Sequence, residues 1–134
     1  MRDALLVALG GAIGSVLRWA AVWGASRLPR AAGFPWGTLG VNLVGSCAIG
    51  FVLTLAFERG LVAPATRLFL VTGVLGGFTT FSAFSWETLV LVRDGQALVA
   101  LGYVAGSVLG GFAAALLGAS LAARFGLTVA SLAG

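Results

Sequence analysis

The sequence predicts an all-α integral membrane protein with four transmembrane helices, and three observations carry that prediction. Of the 134 residues, 60% are apolar and 9% are charged, against ~25% charged in a typical soluble domain. Long uncharged runs recur between the charged positions, and a spanning helix needs ~20 mostly apolar residues. Glycine, present 21 times, recurs at helical spacing, as it does where membrane helices pack closely. This composition excludes a soluble domain, a disordered chain and a disulfide scaffold. With no histidine and a single cysteine, Cys47, it also excludes a coordinated zinc and a histidine-based catalytic triad.

The first span, about 4–27, is interrupted only by Arg18. Arg2 followed by an apolar run resembles a signal peptide superficially. Arg18 and the apolar continuation to Ser26 predict a retained span instead. Arg30 and Glu58 bracket the second span, about 36–57; Arg67 and Glu87 delimit the uncharged part of the third, about 66–92; Asp94 and Arg124 bracket the fourth, about 96–123. Turn signals separate them: Pro29 and Pro35, then Glu58-Arg59-Gly60 with Pro64, then Arg93-Asp94-Gly95. Trp23, Trp36 and Trp86 fall near span ends, where indole rings favour the membrane interface. The tail from Phe125 onward stays unassigned.

The net charge is +4 and the pI about 11.2, but the eight arginines are scattered singly and form no basic patch for nucleic acid. Four spans put both termini and the second loop on one side. That side holds Arg2, Arg59, Arg67 and Arg124; the other holds Arg27, Arg30 and Arg93. So even a split leaves the positive-inside rule without an orientation to impose. Either something unseen fixes one orientation, or the chain inserts both ways, which permits an antiparallel dual-topology homodimer. The homodimer is the expectation favoured here, since a four-helix layer this small would struggle to enclose a polar pathway alone.

Small residues predict where helices touch. Gly102, Gly106, Gly110, Ala114, Gly118 and Ala122 recur every four residues on the fourth span, and read as one smooth ridge. Gly10 with Gly14, and Ser46 with Gly50, read as shorter versions on the first two spans.

Polar side chains inside spans are candidates for function. The third span contains Gly76-Gly77-Phe78-Thr79-Thr80-Phe81-Ser82-Ala83-Phe84-Ser85. Paired glycines and β-branched threonines make a weak helix, so a break near 76–80 is expected. Such a break at membrane depth needs protein or a water-lined cavity beside it; the alternative is a kinked helix whose hydroxyls bond back to their own carbonyls. Phe81 and Phe84, three apart, share a helix face among hydroxyls, and phenyl ring edges carry partial positive charge. Asn42 in the second span offers two amide donors, for a neighbouring helix or for a passing ion. Arg18 is the costliest residue to insert; it snorkels, caps carbonyls or concentrates anions. Tyr103 and Ser107, four apart, add two hydroxyls to one face of the fourth span. Glu87, near a helix end, reads as vestibular rather than as a buried proton carrier. Hydroxyls, an amide, an arginine and ring edges favour a small, strongly hydrogen-bonding anion. No nucleotide motif is present, so transport is passive or driven by a gradient.

These residues resemble a known family. Gly10-Gly11-Ala12-Ile13-Gly14 leading to Arg18, Gly37-Thr38-Leu39 with Val41-Asn42, and Gly76-Gly77-Phe78-Thr79-Thr80-Phe81-Ser82 with Phe84 are similar to the motifs of the CrcB/Fluc fluoride channels, in the same order, one per span. The resemblance implies an antiparallel dual-topology homodimer in a bacterial cell (inner) membrane, with two narrow pores that pass fluoride and reject chloride. It implies a central structural sodium ion held by the backbone carbonyls of Gly76 and Thr79. Phe81 and Phe84 would turn ring edges to fluoride and Asn42 an amide. Tyr103 and Ser107, with Thr80, Ser82 and Glu87, would line an adjoining polar track, and Arg18 matches the family's first-helix arginine. The implied role is fluoride resistance: HF enters, dissociates in the neutral cytoplasm, and the anion leaves through the channel. Ser15, Trp19, Ala83 and Gly111 depart from the usual residues, and Gly111 lies where many relatives carry serine or threonine. The rival reading is a small four-helix proton-coupled multidrug exporter. It requires a carboxylate in the first span, which here has no acid beyond Asp3.

Overall fold

The computed structural model describes residues 1–27 and 33–132, with side chains described as far as Phe125. Four helical stretches are long and apolar enough to cross a membrane: Arg2–Ser26, Trp36–Phe57, Pro64–Arg93 and Ala97–Phe125. They coincide with the four expected spans to within a few residues. Pro29, Arg30 and their immediate neighbours lie outside the described residues. The other two turns form where expected, each closed by a glycine with positive φ: Gly60 at 64° and Gly95 at 75°, a backbone region that costs glycine little.

Helix α1 is Arg2–Ser26 and α2 is Trp36–Phe57. The third span is composite. It opens with the short α3, Pro64–Arg67, with proline at its start, where the missing N–H costs nothing. It continues as a π-helical segment, Leu68–Leu75, and a single turn, α4, Gly76–Phe78. Thr79 and Thr80 are extended (φ −81°, ψ 158° and φ −150°, ψ 118°), and helix resumes as α5, Phe81–Arg93. The break therefore lies inside the expected 76–80 window. The wide π-helical approach to it was not expected from sequence. Helix α6 runs from Ala97 to Leu132, so the tail left unassigned from sequence continues the last helix.

Two close pairings organise these elements: α2 lies along α6, and α1 lies along the π-helical segment and α4. Both rest on missing side chains. A Cβ at Gly14 would overlap the Val74 carbonyl, one at Gly10 would meet Gly73 Cα, and one at Gly77 would meet the Gly11 carbonyl. In the other pairing, a Cβ at Gly50 would overlap the Ala115 carbonyl and one at Gly118 the Cys47 carbonyl. Lipid offers no hydrophobic drive to bring helices together, so this backbone approach supplies the dispersion contact. Outward-facing Leu5, Leu9, Val16, Leu17, Leu109 and Leu117 are exposed, as suits a lipid-facing surface. At the far end of α2, Arg59 Nη2 donates to the Ala123 carbonyl (3.1 Å) and ties the second loop to α6.

The expected ridge on α6 needs correction. Nothing stands within 4 Å of a Cβ built at Gly102 or Gly106, whereas Gly118 and Ala122 are buried. An α-helix turns ~100° per residue, so a strict every-fourth series drifts ~40° per step around the axis. Five steps carry Gly102 to the side of α6 opposite Ala122. The packed face instead follows the true helical period through Ala100, Tyr103, Ser107, Gly111, Ala115, Gly118 and Ala122.

Candidate functional site

The helix break is held from across the protein by one side chain. Asn42, in the middle of α2, donates from Nδ2 to the Thr80 carbonyl (3.0 Å) and accepts the Thr80 backbone N–H at Oδ1 (2.8 Å). The amide thus bonds both polar groups of one residue at the break, and gives the Thr80 N–H the partner that the interrupted helix withholds. Thr80 is itself buried, and its Oγ1 accepts the Ala83 N–H (3.2 Å), capping α5. Ser82 Oγ lies 3.3 Å from the same hydroxyl. Asn42 thus glues α2 to the third span, and it keeps one amide N–H beyond the Thr80 bond.

The diverted donors release two particular carbonyls. In an unbroken helix the Thr80 N–H would bond the Gly76 carbonyl, and the Ala83 N–H would bond that of Thr79. Here they go to Asn42 and to the Thr80 hydroxyl. Thr79 remains anchored to the segment before it, since both its N–H and its hydroxyl donate to the Leu75 carbonyl (3.0 and 2.9 Å).

A cavity of ≈ 310 Å³ opens beside the break, lined by Asn42, Ser46, Gly76, Thr79, Thr80 and Phe81 among others. Phe81 and Phe84 stack on one side of α5 with ring centroids 5.6 Å apart. Their surroundings differ. Phe84 packs into a small core with Leu91, Ala100 and Tyr103, whereas Phe81 is 79% exposed and faces out of the protomer.

A second polar group lies toward the other end of α5. Glu87 accepts a hydrogen bond from the Thr38 hydroxyl at Oε1 (2.6 Å) and one from the Tyr103 hydroxyl at Oε2 (2.7 Å). Tyr103 is fully buried, with Phe34 against its ring edge-on (5.5 Å) and Phe84 at 5.1 Å. The carboxylate therefore joins α2, α5 and α6 at a point where an apolar core would leave Thr38 and Tyr103 unsatisfied. Glu87 also lines a ≈ 490 Å³ cavity with Ser15, Arg18, Trp19, Thr38 and Thr80. Arg18 makes no ion pair among the described residues. Its side chain and that of Glu87 line the same cavity. At the membrane end of α1, Arg27 stacks over Trp23 (3.6 Å), and Trp23, Trp36 and Trp86 are exposed, as interfacial indoles are. Ser107, expected beside Tyr103, has a buried Oγ with no partner.

The structure thus gathers Asn42, Thr80, Ser82, Phe81, Gly76 and Thr79 at the break, and Arg18, Glu87 and Tyr103 at the vestibule. Thr80 belongs to both groups. Thr38 was not singled out for this role; its signal was a hydroxyl one turn before Asn42 in an otherwise apolar helix.

Comparison with known proteins agrees with this arrangement. The family model described as "CrcB-like protein, Camphor Resistance (CrcB)" matches residues 5–119. A Chlorobium chlorochromatii protein named fluoride-specific ion channel FluC is 52% identical over 111 residues, covering 82% of this chain and 84% of its own. A Chloroflexus aurantiacus protein of the same name is 46% identical over 127 residues, covering 94% and 99%. One from Thermus thermophilus is 54% identical over 105 residues, covering 78% and 80%. The family model matches most of the chain and these relatives are about half identical to it over most of its length: the chain belongs to the CrcB-like family.

Proposed function

We propose that the protein is a passive, fluoride-selective channel that exports cytoplasmic fluoride and so confers fluoride resistance. The observation that carries this reading is the Asn42-held break. It gathers amide, hydroxyl and ring-edge dipoles beside a cavity, and places no carboxylate there. An anion entering the membrane sheds water only where donors replace it. Neutral dipoles do so without the full charge that would hold the ion too tightly to release it. The relatives named above are called fluoride-specific ion channels. The multidrug-exporter alternative lacks its proton carrier, since α1 has no acid beyond Asp3.

The channel works as an antiparallel homodimer of oppositely inserted copies. The near-even arginine distribution supports this. So does Phe81, a large ring exposed on the rim of the cavity beside the break, which a second copy would cover. A structural sodium ion sits at the centre of that dimer. The carbonyls of Gly76 and Thr79 suit it, because their helical donors are diverted and uncharged oxygens bind a hard cation. When bound, the ion supplies fixed positive charge close to the anion path. The chain's own residues do the rest: Asn42 holds the break open, Phe81 and Phe84 present ring edges, and Arg18 draws anions to the vestibule.

Liposomes containing the purified protein test the function with a fluoride electrode. Rapid fluoride efflux with chloride retained is expected. Chloride efflux at a comparable rate, or no fluoride efflux, contradicts the proposal. Purification with sodium replaced by a bulky organic cation is expected to weaken the dimer or its conduction. Indifference to sodium removes the central ion.

A further inference from the structure

Ser46 was read from sequence as a packing residue, paired with Gly50. The structure separates the two. Gly50 meets the Ala115 backbone, whereas Ser46 lines the ≈ 310 Å³ cavity with Asn42, Thr80 and Phe81. One helical turn beyond Asn42, its hydroxyl lies on the face of α2 that carries the amide.

The hydroxyl of Ser46 is also uncommitted. Ser85, Thr88 and Ser120 each return their proton to the carbonyl one turn back, at 2.8–2.9 Å. That is the usual way for a hydroxyl in an apolar helix to satisfy itself. Ser46 forms no such bond to the Asn42 carbonyl, and Ser107 forms none to that of Tyr103. The Ser107 oxygen is buried without any partner. One turn beyond Ser107 stands Gly111, where an added Cβ would meet Ser46 Oγ at 3.5 Å. Ser46 thus keeps a free proton at a level where α6 offers only Gly111 opposite it, without a side chain to fill the gap.

We propose that Ser46 supplies a hydrogen-bond donor to the permeating anion in the cavity beside the break, one turn of α2 beyond Asn42. This rests on the channel reading above and extends its path by one turn of α2. A neutral hydroxyl facing a glycine suits a small dehydrated anion. It offers no charge to a large one and no carboxylate to a cation. Gly111 explains why the task falls to α2: α6 has no hydroxyl of its own at that level.

The test is fluoride efflux from liposomes for wild type, Ser46→Ala, Ser46→Thr and the double variant Ser46→Ala/Gly111→Ser. Removing one neutral donor is expected to slow efflux about two- to ten-fold. Ser46→Thr keeps the hydroxyl and is expected to keep the rate. The serine at 111 meets only ordinary van der Waals contact and returns a hydroxyl at that level from the other helix, so the double variant is expected to recover efflux. Wild-type efflux in Ser46→Ala overturns the inference while leaving the channel reading intact. A loss that the double variant does not recover also overturns it and returns Ser46 to packing. Absence of fluoride efflux in the wild type overturns both.

Discussion

The two halves of the third span, on either side of Thr79 and Thr80, are built on opposite principles. The first half, from Pro64 to Phe78, is fixed by what its residues lack. Gly73 and Gly77 lie against the backbone of α1, Gly14 receives the Val74 carbonyl, and no side-chain hydrogen bond joins the two elements. The second half, Phe81–Arg93, is fixed by what its residues carry. Phe84 and Leu91 enter a small core with Ala100 and Tyr103, and Glu87 accepts hydroxyls from α2 and α6. The first half is mounted backbone to backbone, and the second is held by its side chains, among them the two proposed to face the ion. Asn42 joins them by bonding both the N–H and the C=O of Thr80. A helix can thus be interrupted in a bilayer at small cost, provided one half is immobile and one amide closes the gap.

That contrast can be broken at the mount. Gly14→Ala forces a methyl into the Val74 carbonyl, and backbone cannot move aside as a side chain can. A loss of about 3 kcal/mol is expected, read as a lower unfolding midpoint in detergent and a reduced dimer fraction by size exclusion. Wild-type stability would mean that the α1 contact is looser than described. A smaller effect belongs to the other half. Phe81→Ile keeps an apolar side chain at an exposed position, so the protomer should fold normally. Fluoride efflux should fall by about two- to tenfold, since a ring edge is worth ~0.5–1.5 kcal/mol beyond its area. Unchanged efflux would return Phe81 to a lipid-facing role. The smallest effect sharpens the packing description. Gly106→Ala has open space and gains helix propensity, so stability within about 1 kcal/mol of wild type, or slightly above, is expected. A loss like that of Gly14→Ala would restore the every-fourth ridge on α6.

Much of this was legible in the sequence, for identifiable reasons. Hydropathy alone delimits the spans, because a bilayer demands an unbroken apolar run. The break was legible because Gly76-Gly77 and Thr79-Thr80 are poor helix formers at a depth where helix is obligatory. Asn42 stood out as an amide in apolar surroundings. Its partner did not, because the Thr80 backbone is 38 positions away and carries no side-chain signal. The π-helical segment was hidden too. Leu68–Leu75 is uniformly apolar, and only its docking on Gly10 and Gly14 gives the wider turn a reason. The α6 ridge was misread because regular spacing in sequence was taken for alignment in space, and ~40° of drift per step is enough to carry half the series off the seam.

On the proposed function, the amide of Asn42 creates the anion path by holding the third span open at Thr80. Fluoride efflux from liposomes bearing Asn42→Ala, measured beside wild type at equal dimer content, tests it most directly. The variant leaves the Thr80 N–H without its partner, at about 1–3 kcal/mol, and takes from the Thr80 carbonyl the donor it has besides α5. Efflux at least about tenfold slower is expected, with the dimer still assembled. Efflux at the wild-type rate would show that the path does not depend on this clamp, and would contradict the account.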